Sequence, residues 1–534
     1  VATETRPALF ESARYRVRLP RRPLLTFGLG LARVGPEEPR GTFRLTLRAD
    51  GRVRLRRTLS ARALRGFSDV SVPLDGLGGE ALLEFELRRT DAAGGSPAQA
   101  GGALPAIAQP LLHDLDAYGR AKGVVLVSID TLRRDHVGCY GYPRPTTPRI
   151  DALARSGLLC EDAVSTSSWT LPAHLSMLTS VDAGEHGGVD GEHGFNRRVP
   201  TLASLLHAAG YATRAITSHI YVAPAYGLDE GFERFDFVED RNAADVAARA
   251  IAQLDEVGDR PFFLFLHFYD PHAHYTPPPQ TRALFPSAYT GPLKGLLTHF
   301  QTLTRETTPP AYLEHLLSLY DAEIRYTDDQ LGRVIDHLRG RGLDRSTLVV
   351  VTADHGEEFL DHGSWIHGRT LYEEIIRVPL VVAGPGVAPR REAAQASLLD
   401  VAPTILAWAR LPAPARFQGR SLLQPYGPRE AFGDKGHAKG GARKVFLRGG
   451  QAGLKLILSL DPEQDRVNGE EWFDLAAEPS ERRPARPAAA EADALRRRAL
   501  SRWREARALG DSGPAVGLTP EQMERLEALG YIGS

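Results

Sequence analysis

Three groups of carboxylates and imidazoles stand at the ends of apolar runs. Asp130 directly follows residues 124–129 (VVLVSI), and Asp354 and His355 follow residues 347–352 (TLVVVT) after one alanine. His267, Asp270, His272 and His274 end or follow the run at 262–268 (FFLFLHF). Nearly continuous apolar runs mark strands covered on both faces, and ligands of open parallel sheets bind at the carboxyl ends of such strands. Mixed oxygen and nitrogen donors on one rim suit a divalent cation. Singly, an aspartate closing a strand is more often a turn former or helix cap, so it is the joint occurrence that argues for a site.

A fourth element is STSSWTLPAH at 165–174. Pro172 suits the first turn of a helix, which puts Thr170 at or beside the N-cap. Free N–H groups there favour an anion, yet a hydroxyl at that position also serves as a plain cap. The residues alone leave both roles open.

These elements need a scaffold, and the chain reads as three stretches. Residues 1–120 carry short alternating runs (15–19, 24–31, 42–48, 53–59, 70–72, 81–87) bounded mostly by Gly, Pro or Asp, the pattern of an antiparallel β-sandwich. An Ala/Gly/Ser loop at 92–102 and polar residues up to about 120 mark the boundary. Residues 121–432 alternate buried strands with helices, the clearest helix running over 311–339, and predict an α/β domain with a mainly parallel sheet. Residues 433–534 predict a small α+β subdomain: strands at 445–448 and 454–460, an Arg-rich helix at 491–508, and a last helix opened by a Thr519–Gln522 capping box.

Composition excludes several classes. Apolar content of 42% with 25% charged residues is that of a globular protein, and 65 basic against 66 acidic residues give no footprint for nucleic acid. No run approaches 18 apolar residues, so no membrane span is expected. Cys139 and Cys160 read as two small buried residues or as one disulfide. The opening VATETRPALF lacks the layout of a secretory signal; a signal removed before residue 1 would send the protein to the periplasm or outside, and the compartment stays open.

The ordered motifs resemble the sulfatase-like branch of the alkaline phosphatase superfamily. Residues 170–180 (TLPAHLSMLTS) are similar to the sulfatase signature, and 127–136 (VSIDTLRRDH) with 138–141 (GCYG) to its metal-binding opening. Further resemblances follow in the family's order: 147–151 (TPRID), Asp270-Pro271-His272, 320–324 (YDAEI), 353–357 (ADHGE), 367–374 (HGRTLYEE) with 377–380 (RVPL), and 472–475 (WFDL) with Glu478-Pro479. The likeness covers about 121–505 and leaves the N-terminal stretch outside.

That resemblance implies a divalent metal held by Asp130, Asp354 and His355 beside a Thr170 nucleophile. It implies that His272 and His367 hold the anionic oxygens of a small ester substrate or protonate its leaving group. His367 stands where sulfatases usually carry Lys, and His174 where they carry Arg near the nucleophile. A second metal at Asp270 and His274, completed by His362 or His367, is the two-metal variant.

Two departures shape the chemistry expected. Thr131 replaces the second of two adjacent aspartates, and the less charged cage tilts the expected ion towards manganese or zinc over calcium. Thr170 replaces the Cys or Ser that sulfatases convert to formylglycine; its extra methyl would give a ketone, so an unmodified alkoxide is expected. A phosphothreonine can be hydrolysed by a second attack on phosphorus, whereas a sulfated threonine lacks the hemiacetal route, so phosphodiesters or monoesters are expected over sulfate esters. A sulfatase and an inactive sulfatase-like binding protein are the alternatives. The N-terminal stretch is expected to serve packing or carbohydrate contact.

Overall fold

The computed structural model describes residues 12–20, 23–33, 42–60, 68–77, 79–90, 103–114, 123–238, 242–258, 260–436, 443–449, 453–461 and 466–528. The loop expected at 92–102 lies outside them. The chain divides into two compact units, residues 1–121 and 122–534.

The first unit holds β1 (Ser12–Leu19), β2 (Pro23–Arg33), β3 (Thr42–Ala49), β4 (Arg52–Ser60), β5 (Ser68–Pro73), β6 (Gly79–Arg89) and β7 (Ala103–Asp114). They form two antiparallel sheets, ordered β1-β6-β3-β4 and β5-β2-β7, around one core that includes Phe27, Leu47, Val70, Phe85 and Ile107. β7 escapes a reading of alternation because Pro105 and Pro110 interrupt it. It tolerates them as the edge strand beside β2, where the register shifts between Thr26 and Gly28.

The second unit is built on a nine-stranded mixed sheet. Its strands are β8 (Gly123–Ile129), β9 (Leu158–Val164), β10 (Ala212–Thr217), β11 (Arg234–Phe237), β12 (Phe262–Phe268), β13 (Thr347–Thr352), β16 (Arg377–Ala383), β17 (Arg390–Glu392) and β18 (Ala396–Ser397), with a hairpin of β14 (Glu358–Phe359) and β15 (Trp365–Ile366) beside them in sequence. The order is β11-β10-β12-β8-β13-β16-β9-β17, with β18 also on β9; β11 through β13 run parallel, and β16 is antiparallel to both neighbours. Every residue of β8, β10, β12 and β13 is buried. The long helix spans Pro310–Gly340.

The C-terminal part of this unit adds an antiparallel sheet of β19 (Ala431–Asp434), β20 (Arg443–Arg448), β21 (Leu454–Asp461) and β22 (Arg466–Asp474), followed by the helix Ala489–Leu509. The last helix, Pro520–Ala528, starts with the reciprocal bonds of the expected capping box: Gln522 N–H to Thr519 Oγ1 and Thr519 N–H to Gln522 Oε1. Cys139 and Cys160 are free thiols. Among the described residues no helix is long and apolar enough to cross a membrane.

Candidate active site

The sheet register explains why distant residues meet. β8 lies between β12 and β13, and Ser128 pairs with both His267 and Thr352. Asp130, the segment after Phe268, and Asp354–His355 therefore leave one rim side by side. Asp130 N–H still donates to Phe268 O at 2.8 Å, extending the ladder one residue beyond β8.

His355 gathers the cluster. Its Nδ1–H donates to Gly356 O at 2.9 Å, so Nε2 carries the lone pair. That nitrogen stands 3.3 Å from Asp354 Oδ2, 3.8 Å from Asp130 Oδ1 and 3.4 Å from Thr170 Oγ1. Donors about 2.0–2.2 Å from one cation stand about 3.3–3.6 Å apart at tetrahedral angles, which these separations approach. All four side chains are fully buried. Asp354 Oδ2 accepts no hydrogen bond, while Oδ1 takes the N–H groups of His355 and Thr131. Burial and the neighbouring Asp130 carboxyl raise the Asp354 pKa well above the usual carboxylate range. Among the described residues, Asp130, Asp354 and His355 are the one group of three or more His, Cys, Asp or Glu side chains with metal-ligand spacing. The donor set fits a divalent cation.

Thr170 is the first residue of a buried helix, Thr170–Thr179, whose N-cap is Trp169. No side chain caps that helix, so the Thr170 hydroxyl is turned to His355 rather than to its own backbone. The preceding segment is tied down from two sides. Ser165 Oγ–H donates to the Asp354 carbonyl, while Ser167 Oγ–H and Trp169 Nε1–H donate to the carbonyls of Asp434 and Lys435 at the end of β19. The C-terminal sheet thus braces the turn that presents Thr170.

Thr131 serves the site through its backbone, giving its N–H to Asp354 Oδ1 at 3.3 Å and its carbonyl to Tyr320 Oη–H at 2.6 Å. Its φ of 55° is strained for a β-branched residue. Gly356 is required by close approach, because a Cβ there would stand 2.0 Å from Glu374 O.

His174 does not reproduce the charge of an arginine. Its Nδ1–H donates to Thr170 O at 2.8 Å and its Nε2 accepts from Ser128 Oγ at 2.9 Å; burial holds the ring far below the usual histidine pKa, hence neutral. His367 lies beside the cluster, its ring centroid 4.3 Å from that of His355 and its Nδ1–H donated to Glu357 Oε1 at 2.8 Å. His272 follows at 4.8 Å from His367 and stacks on Tyr269 at 4.5 Å.

Asp270 and His274 are not brought to this cluster. Asp270 Oδ1 accepts the N–H of Ala243 at the start of the helix Ala243–Val257, and His274, exposed, takes the N–H of Leu297 on Nδ1. Each accepts one backbone N–H, and His362 is paired with Glu374 at 2.7 Å. Glu357 and His219 had no individual role in the sequence, and His267 had only its place among the imidazoles of the rim. His267 is the polar exception within β12 and reaches Asp130. Glu357 buttresses His367. His219, just past the end of β10, stacks on Tyr269 at 4.7 Å.

Residues 122–411 match the family model described as sulfatase. The chain belongs to the sulfatase family. N-sulphoglucosamine sulphohydrolase of Homo sapiens is 31% identical over 331 residues, 54% of this chain and 62% of that protein, so the match leaves more than a third of that relative uncovered. The multifunctional alkaline phosphatase superfamily protein PehA of Trinickia caryophylli is 25% identical over 395 residues, covering 57% of this chain and 76% of its own length. A solved structure in complex with its substrate D-glucosamine-2-N,6-O-disulfate superposes with a TM-score of 0.61 at 21% identity, over 73% of this chain and 99% of that one. The phosphonate monoester hydrolase of Agrobacterium radiobacter gives 0.58 at 18% identity, over 72% and 95%. The sulfatase-family match begins at 122, where the second compact unit begins.

Proposed function

We propose that this sulfatase-family chain is a metal-dependent ester hydrolase whose nucleophile is the unmodified Thr170 hydroxyl. The observation that carries the reading is the position of Thr170 Oγ1, 3.4 Å from His355 Nε2 and turned away from any capping role. Asp130, Asp354 and His355 would hold a divalent cation, which when bound would supply Lewis acidity to lower the pKa of the Thr170 hydroxyl. Manganese or zinc suits a set that includes an imidazole better than calcium, which takes oxygen ligands.

The chain's own groups divide the remaining work. The amino end of the helix Thr170–Thr179 favours an anion beside the nucleophile. His367, fixed by Glu357 through Nδ1, exchanges protons through Nε2 and serves as the acid for the leaving group, with His272 next to it on the substrate's anionic oxygens. His174 holds the Thr170 carbonyl and orients the first helical turn.

Phosphate esters are the substrates this nucleophile favours. Attack on phosphorus forms a phosphothreonine that water cleaves by a second in-line attack. Sulfate esters are the second reading, favoured by the relatives: one is named a sulphohydrolase, and one structural neighbour holds a disulfated glucosamine as substrate. Parallel assays with an aryl phosphodiester, an aryl phosphate and an aryl sulfate, each with and without chelator, test both. Chelator-sensitive turnover of a phosphate ester is expected; sulfate turnover alone overturns the first reading, and no turnover of any ester overturns both. The N-terminal unit is proposed to pack or to contact carbohydrate.

A further inference from the structure

His267 is a polar residue inside an otherwise apolar, fully buried strand. Such a group is tolerated only where its hydrogen-bonding capacity is met. Both ring nitrogens have partners. Ser218 N–H points at Nδ1 from 3.5 Å, and Nε2 lies 3.2 Å from Asp130 Oδ2. Those partners select one tautomer. A proton on Nδ1 would oppose the Ser218 N–H and leave a lone pair facing a carboxylate, so the proton belongs on Nε2.

The same ring is clamped from two further sides. Ser218 Oγ–H donates to the His267 carbonyl at 3.0 Å, gripping the residue at backbone and ring together. The His174 ring meets it edge to face at 5.0 Å and 76°, and His174 is itself fixed between Thr170 O and Ser128 Oγ. Asp130 is meanwhile anchored to β12 through its backbone N–H on Phe268 O. With Oδ2 taken by His267, Oδ1 is the oxygen that stands 3.8 Å from His355 Nε2.

We propose that His267 is a positioning residue for the cation: its Nε2–H, set by Ser218, holds Asp130 Oδ2 so that Oδ1 faces the position shared with Asp354, His355 and Thr170. The proposal rests on the reading of that cluster as a metal site. Loss of a hydrogen-bond partner of a metal ligand typically weakens binding by about 10–100-fold.

The amide nitrogen of glutamine falls where Nε2 stands, and that of asparagine near Nδ1, so His267→Gln keeps the donor to Asp130 and His267→Asn loses it. Manganese affinity, measured by competition with a chromogenic chelator on the full chain, is expected to fall by about 10–100-fold in H267N and to stay within about threefold in H267Q. Equal affinity of the two variants, whether both tight or both weak, overturns the positioning role. Wild-type protein that binds neither manganese nor zinc overturns the metal reading itself, whatever the variants do. A long-range ¹H–¹⁵N correlation on wild-type protein labelled at histidine needs no variant; it is expected to show the Nε2–H tautomer at His267, and the Nδ1–H tautomer overturns the proposal.

Discussion

His367 Nδ1 and Glu357 Oε1 stand 2.8 Å apart with both side chains fully buried, and Tyr275 Oη–H donates to the other Glu357 oxygen at 3.1 Å. A carboxylate held on both oxygens fixes the tautomer of the imidazole, with the proton on Nδ1, and Nε2 is the nitrogen proposed to exchange protons. His367→Ala is expected to lower kcat/KM by about 10²–10⁴-fold for an alkyl ester, whose leaving group must be protonated. The loss should be much smaller for a p-nitrophenyl ester, which departs without a proton. Equal losses on the two esters would remove His367 as the acid.

Asp354 lies fully buried beside the Asp130 carboxyl, and burial and that neighbour together raise its pKa well above the usual carboxylate range. Asp354→Asn keeps the oxygen that accepts from His355 and Thr131 N–H while removing a carboxyl whose charged form burial and Asp130 disfavour. In chelator the variant is therefore expected to melt a few degrees above wild type. Added manganese at 100 times its Kd should stabilise wild type by about 2.7 kcal/mol and the variant by far less, reversing the order. Thermal melts with and without the ion check this.

Glu323 is buried, accepts the Thr276 N–H at 2.8 Å, and is pushed up to about 9 by burial and by Asp270, itself raised to about 6. A carboxyl whose folded pKa lies above its unfolded one stabilises most when protonated. That contribution is complete below about pH 4.5 and is lost as pH rises through about 9. Glu323→Gln keeps the acceptor and removes the titration. Its melting temperature is expected to fall less steeply than that of wild type over this window, and parallel slopes would contradict the assignment.

Trp169 Nε1–H donates to Lys435 O at 2.7 Å, joining the turn before Thr170 to the C-terminal sheet. Trp169→Phe preserves the apolar bulk and deletes this bond, with an expected cost of about 1 kcal/mol. Because the bond lies one residue before Thr170, kcat should fall more than KM changes. A stability loss with unchanged kcat would limit the brace to folding.

Much of this arrangement was legible in the sequence because it depends on periodicity. Fully buried strands read as unbroken apolar runs, and residues at their carboxyl ends are polar for a reason, which picked out Asp130, Asp354 and His355. The helix Pro310–Gly340 was equally plain from the spacing of Leu316, Tyr320, Ile324 and Leu331. What periodicity cannot carry is the partner of each polar group. Asp270 and His274 have the spacing of metal ligands, yet each bonds a backbone N–H that only the folded chain brings near. His267 stands out in its apolar run by its polarity, but its contact with Asp130 through Nε2 depends on the register of β8 on β12. The φ of Thr131 and the service of its N–H to Asp354 follow from the turn after β8, which no residue type announces.

The central claim is tested most directly at the Thr170 oxygen. Rapid quench during turnover of a slow aryl phosphate ester, followed by peptide mass mapping, reads the covalent state of the segment around Thr170. One phosphoryl group is expected on Thr170, formed only with metal present and absent from Thr170→Ala. Full turnover with Thr170 unmodified, or a phosphoryl group on a different side chain, would contradict it.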